Sequence, residues 1–309
     1  MSEDHLSRMF AFLNVRSVVS GAFAVAGPWV TRSAIQDDLK FIALVRGSAS
    51  LHTDGIADPI AVAAGDIVLL NGRTRLALSG GEGDGNPAEV APPDGGVIDP
   101  KALAAAGVSV VIGGRVELST VARDFLLRTL PPVSHVRAAD EGTGRVRRHI
   151  ENLLEEITAQ RIGSDFAVRQ YAQLLILDVV RVFSEDPGLP AGWLKGLADP
   201  QLRSAIMLIH DEPARRWTLE SLARSCAMSR TAFAERFRAR VGIPPVAYLI
   251  RWRMLLAKQA LTDPDTRVAP LAYELGYGSE SAFSAAFKKQ EGLAPSEYRA
   301  RATARAKAA

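Results

Sequence analysis

The sequence predicts an α+β chain of several parts: an N-terminal β-barrel or sandwich, a helical linker, and an all-α C-terminal domain with two helix-turn-helix units. Three observations lead there. Short apolar runs separated by turn residues fill the first 130 positions, helical spacing replaces them after Leu130-Pro131-Pro132, and the last third contains a repeat displaced by 50 residues. At 309 residues there is room for about two domains of roughly 150 residues each. With 48% hydrophobic and 23% charged residues the chain is not one of the disordered class. Its apolar runs fall far short of the ~20 residues of a membrane-spanning helix. Met1-Ser2-Glu3-Asp4-His5 lacks the basic-then-apolar build of a secretory signal, so the expected location is the cytoplasm, with no membrane partner. One cysteine, Cys226, excludes an intrachain disulfide and a multi-cysteine zinc site.

The expected strands are residues 39–45, 48–52, 60–63, 67–70, 75–78 and 108–112. Gly47 punctuates the first pair, and Ala64-Gly65-Asp66 reads as a turn between neighbouring strands. Close spacing of short strands suggests an antiparallel sandwich or barrel. Residues 144–160 and 165–183 have helical spacing. The second stretch holds only Asp165, Arg169, Asp178 and Arg181 as charges, so it must be buried on two sides or packed on a partner.

Charge is distributed unevenly. Residues 199–309 hold 18 Lys+Arg against 11 Asp+Glu, a balance of +7, whereas the remainder holds 19 against 23, or −4. A basic C-terminal third suggests binding to a polyanion. There, Phe233, Phe237, Gly242, Pro245 and Tyr248 recur as Phe283, Phe287, Gly292, Pro295 and Tyr298, each displaced by 50. Leu222-Ala223 recurs as Leu271-Ala272, displaced by 49, so the second turn holds one extra residue. Each unit reads as helix, tight turn, helix and a Gly-x-x-Pro stop. Thr218 and Ser229 are placed to cap the two helices of the first unit. On the second helix Phe233 and Phe237 share one face, while Arg230, Thr231, Ala234, Glu235 and Arg238 occupy the other. That is the build of a helix-turn-helix recognition element. A connecting helix over 246–261 would set the spacing of the units, with Arg251, Arg253 and Lys258 facing phosphates or solvent in equal measure.

Here the chain resembles a known family. Leu275-Gly276-Tyr277-Gly278-Ser279-Glu280-Ser281-Ala282-Phe283, continuing through Phe287-Lys288-Lys289 to Pro295-Ser296-Glu297-Tyr298-Arg299, resembles the signature of AraC/XylS bacterial transcription regulators. Ala64-Gly65-Asp66-Ile67-Val68-Leu69-Leu70 and Leu130-Pro131-Pro132-Val133-Ser134-His135 are similar to the cupin-like sensor domain of one branch of that family. The resemblance implies a cupin-like sensor over 1–135, a linker and dimerisation region over 136–197, and a DNA-binding domain over 198–309. Its helix-turn-helix units are expected at about 218–241 and 267–290. It implies a sequence-specific regulator that binds double-stranded DNA, senses a small effector, pairs with a second copy and has RNA polymerase as a further candidate partner. The match places Arg230, Thr231, Ala234, Glu235 and Arg238 of the first unit toward DNA. In the second unit it places Ser279, Glu280, Ser281, Ser284, Ala285 and Lys288. Arg46, His52 and Arg75 are the strand residues first expected at an effector. Two positions depart from the pattern: Glu291 stands where an aromatic residue is usual, and Arg75 where metal-binding cupins often have histidine.

Other chemistry does not assemble in the sequence. His52 stands as the histidine of the expected strand region, and a metal site needs three or four ligands. Gly81-Glu82-Gly83-Asp84-Gly85-Asn86-Pro87 lacks the helix that a phosphate loop opens. Asp37-Asp38 and Glu155-Glu156 are sequence neighbours whose side chains point apart. A cupin-type enzyme carrying an accessory nucleic-acid module is the alternative reading. The expectation is no enzyme, no cofactor and no metal.

Overall fold

The computed structural model describes residues 9–10, 15–91, 98, 102–119, 123, 126–127 and 129–308. The chain divides into two compact units, Met1–Leu189 and Pro190–Ala309.

The first unit contains β1 (Arg16–Ala26), β2 (Trp29–Ala34), β3 (Leu39–Arg46), β4 (Ser48–Thr53), β5 (Ile60–Ala63), β6 (Ile67–Asn71), β7 (Arg75–Gly80), β8 (Ala88–Glu89), β9 (Val108–Glu117) and β10 (Val133–Val136). Two helices follow, α1 (Gly144–Ala159) and α2 (Ser164–Glu185). One sheet has the order β1-β9-β3-β6-β10 and the other β5-β4-β7-β2-β8. They form a sandwich, not a closed barrel. The space between them is filled by Trp29, Ile42, Leu44, Leu51, Val68, Leu70, Leu76, Leu78 and Val111.

The first sheet is buried on both faces. Ile42, Leu44, Val68 and Leu70 point into the sandwich, yet the alternating residues Phe41, Ala43, Ile67 and Leu69 are equally buried. Such double burial explains why residues 39–45 read as a continuous apolar run and not as an alternating one. On the far side, α2 lies against β1 and α1 against β3. The Gln173 amide holds the start of β1, accepting from Ser17 N–H at 3.1 Å and donating to Val15 O at 2.8 Å.

The stretch expected to be a linker is therefore divided. Both α1 and α2 belong to the first unit, because the second face of the sheet needs cover, and the units part at 189–190. The Ala64-Gly65-Asp66 turn also differs from expectation. Gly65 has φ +88°, as a tight turn requires, but β5 and β6 belong to different sheets. The turn carries the chain across the sandwich. Asp66 pins the crossing: its carboxylate accepts from Ala63 N–H at 2.9 Å and Ala138 N–H at 2.8 Å, and meets His135 Nε2 at 2.8 Å.

The second unit is helical: α3 (Trp193–Ala198), α4 (Arg203–Asp211), α5 (Leu219–Ser225), α6 (Arg230–Val241), α7 (Pro245–Ala260), α8 (Val268–Glu274), α9 (Glu280–Glu291) and α10 (Pro295–Ala308). Its two helix-turn-helix pairs, α5–α6 and α8–α9, coincide with the repeat. Thr218 and Ser221 form a reciprocal capping box on α5. Ser229 and Ser279 cap the equivalent helices, accepting from Ala232 N–H at 3.3 Å and Ala282 N–H at 3.2 Å. Gly242 and Gly292 end them with φ +87° and +76°. The displacement of 49 changes to 50 inside the second turn. Ala227 and Gly276 occupy the same left-handed position, with φ 52° and +79°, so Gly278 is the added residue.

Candidate nucleic-acid interface

Each pair is held by aromatic rings at repeat-related places. Phe233, Phe237, Phe283 and Phe287 are all 0% exposed. In the first unit Phe233 meets Phe237 at 5.5 Å, and Phe237 meets Tyr248 edge-on at 5.7 Å. In the second, Phe283 meets Phe287 at 5.7 Å, and Phe287 meets Tyr298 edge-on at 5.6 Å. These rings bind each helix from one side and turn the other outward. Burial follows the same order along 231–240 as along 281–290. Arg230, Thr231, Glu235 and Arg238 are exposed on α6, with Ala234 half-buried. On α9, Glu280, Ser281, Ala285 and Lys288 are exposed, with Ser279 and Ser284 half-buried. The structure thus gathers the expected DNA-facing residues into two matching outer faces.

α7, 16 residues long, spans about 24 Å at 1.5 Å per residue. Of its three cations only Arg251 is exposed. Arg253 turns inward, donating to Pro213 O at 2.7 Å and Arg215 O at 3.0 Å, beside the ring of Tyr277 at 5.5 Å. Burial lowers its guanidinium pKa and raises that of the Tyr277 phenol. Lys258 Nζ lies 3.1 Å from Glu291 Oε2 and is almost fully buried. Neither residue is the phosphate or solvent contact that sequence alone allowed. The same pair gives Glu291 a role: it anchors the end of α9 by charge, where loss of an aromatic residue suggested looser packing.

Another stack braces α7. His210 of α4 lies against Trp252 at 4.0 Å and meets the Tyr248 hydroxyl through Nε2 at 2.7 Å. Burial pushes the Tyr248 phenol far above its usual pKa, so it stays neutral.

In the first unit, His52 and Arg75 lie on the outward face of the second sheet. They line a groove of about 500 Å³ with Arg32, Ala34, Asp54 and Ala77. His52 and Arg32 flank Ala77 in register, and Arg75 is paired with Ala34. Asp54 accepts from Thr74 N–H at 2.8 Å and Arg75 N–H at 2.9 Å, which holds its carboxyl down to about 2. Arg46 is not part of this groove; it is exposed at the end of β3 and donates to Leu103 O at 3.1 Å. Among the described residues no group of three or more His, Cys, Asp or Glu side chains is arranged to hold a metal ion. His135, a second histidine of the strand region, was missed by sequence reasoning. Its partner Asp66 is 69 residues away, and no local pattern signals the pair.

A larger cleft of about 740 Å³ lies between β1 and the α1–α2 turn, lined by Val19, Ile157, Phe166 and Val168 among others. Phe166, which lines it, is 63% exposed, and Ile162 and Leu174 are 108% and 42% exposed. Among the described residues no helix is long and apolar enough to cross a membrane.

A family model described as "Cupin" matches residues 4–185, and one described as "Helix-turn-helix domain" matches residues 222–301. A protein from Streptomyces lividans named "Putative AraC-like transcription regulator" is 37% identical over 303 residues, covering 96% of this chain and 98% of its own. One of the same name from Streptomyces antibioticus is 36% identical over 303 residues, again covering 96% and 98%. The solved DNA-binding domain of AdpA, a global transcriptional factor in complex with a target DNA, is 33% identical. That alignment covers 35% of this chain and 96% of the other, with a TM-score of 0.33.

Proposed function

This chain belongs to the family of AraC-like transcription regulators, with a cupin-like domain ahead of a helix-turn-helix DNA-binding domain, and on that premise we propose that α6 and α9 are the two helices that read DNA. One observation supports this above the others: two outer faces matched residue for residue over a 50-residue displacement, each backed by its own phenylalanine pair. Successive major grooves on one side of a duplex lie about 34 Å apart, a spacing that a rigid α7 suits. Arg238 offers a bidentate fork to guanine, and Glu235 an acceptor for cytosine N4. The outer face of α9 holds mostly short side chains, so it discriminates less, while Lys288 and Lys289 hold the backbone. The chain acts by binding in the cytoplasm and not by catalysis. Selection of binding sites from random duplexes by the full chain tests this reading. Arg238→Ala and Glu235→Ala should each relax preference at a single base pair, by about 1–3 kcal/mol. An equal loss on all sequences would reduce both residues to phosphate clamps.

We further propose that two copies pair through α2. Phe166 and Leu174 on this helix, and Ile162 in the turn just before it, stay exposed. Knob and cleft side by side form the self-complementary patch that a two-fold dimer needs. Sedimentation of the full chain is the check: a monomer at micromolar concentration, with and without DNA, ends the dimer model.

The groove at His52 and Arg75 is our proposed effector contact. An effector that binds His52→Ala and Arg75→Ala variants as tightly as the parent chain would rule it out.

A further inference from the structure

The first reading helix is held in a way that the second is not. Asp199 closes α3, and its side chain is 2% exposed. Its carboxylate takes Arg236 bidentately, with Nε at 3.0 Å and Nη2 at 2.9 Å, takes Arg240 Nε at 3.1 Å, and accepts from Gln201 N–H at 3.0 Å. Both arginines belong to α6. The chain just before Asp199 meets the same helix. Gly192 N–H donates to Arg240 O at 3.0 Å, and Gly196 sits so near α6 that a Cβ there would lie 2.6 Å from Val241. Residues 191–199 are thus fastened along the C-terminal half of α6.

Displacement by 50 shows that this is no general feature of the repeat. Ala286 and Gln290 stand in α9 where α6 has Arg236 and Arg240. Neither can bind a carboxylate as arginine does.

We propose that Asp199 is a positioning residue for DNA reading, setting the rotation of α6 about its own axis and leaving α9 untouched. At 3.6 residues per turn, Arg236 and Arg238 lie about 200° apart, so the carboxylate holds the helix from the side opposite the base-reading fork. Releasing it lets α6 turn and swings Arg238 away from its base edge. The proposal rests on the assignment of α6 as a reading helix.

The test uses the full chain and sites selected from a random duplex library. Arg238→Ala marks the base pairs read by α6, and Glu280→Ala those near α9. Asp199→Asn, which keeps the shape and removes the charge, should flatten preference in the α6 half by about tenfold and leave the α9 half within about twofold. Should that variant fail to fold, Arg236→Lys with Arg240→Lys keeps both charges, loses the bidentate bond and should give the same split. Parallel loss in both halves overturns the proposal, since simple destabilisation removes both together. No change in either half overturns it as well. If Arg238→Ala leaves every base preference in place, the reading assigned to α6 has failed, and the role of Asp199 falls with it.

Discussion

Phe283→Ala or Phe233→Ala is expected to remove about 3–5 kcal/mol from the stability of the helical unit. Each ring is wholly buried, and in the second pair Phe283 and Phe287 pack with Met254, Ala257, Leu261, Leu271, Ala272 and Leu275. A domain is stable by only about 5–15 kcal/mol, so either change takes a large share of the total. The helices themselves are short, with 7 residues in α5 and 12 in α6, below the length at which a helix persists alone in water. Without the ring they have nothing to fold on. Urea unfolding followed by circular dichroism would show this as an earlier transition of residues 190–309, with that of the sandwich unmoved. A variant that unfolds within about 1 kcal/mol of the parent would show that the rings are not the core.

DNA affinity should fall steeply with salt, by about 10³-fold between 50 and 200 mM. The basic balance of 199–309 suggests electrostatic binding, but the structure withdraws part of it. Arg236 and Arg240 are taken by Asp199, Lys258 by Glu291, and Arg253 by backbone carbonyls. Among the exposed cations, Arg230 and Arg238 belong to α6, Arg251 to α7, Lys288 and Lys289 to α9, and Arg267 stands at the start of α8. Six phosphate contacts give a slope of log affinity on log salt of about −5. Fluorescence anisotropy of a labelled selected duplex with the full chain measures it. A change below about tenfold would mean that these cations do not lie on the phosphates.

Much of the second unit was legible in the sequence. Caps, glycine stops and the paired phenylalanines act within four residues of one another, so their spacing carries the information directly. The first unit was legible as strands and turns but not as layers. Residues 60–63 and 67–70 were seen as neighbours, yet the turn between them changes sheets, because which strand a segment pairs with is decided by partners far along the chain. His52 and Arg75 were rightly seen as polar strand residues. That they share a groove and Arg46 does not follows from the register of β4, β7 and β2.

By itself, then, the sequence determined the repeat, the helix boundaries, the inward aromatic faces and with them the family. Helical periodicity and capping are local properties, fixed by residues a turn apart. Only the tertiary structure decided what each charge is for. Arg236, Arg240, Arg253 and Lys258 look the same in sequence as Arg230, Arg238 and Arg251, but a carboxylate 37 residues from Arg236 takes two of them. A buried charge must be paired or bonded, and its partner can come from anywhere in the chain. The local pattern shows that a cation is present; the fold determines whether it faces DNA or a buried carboxylate.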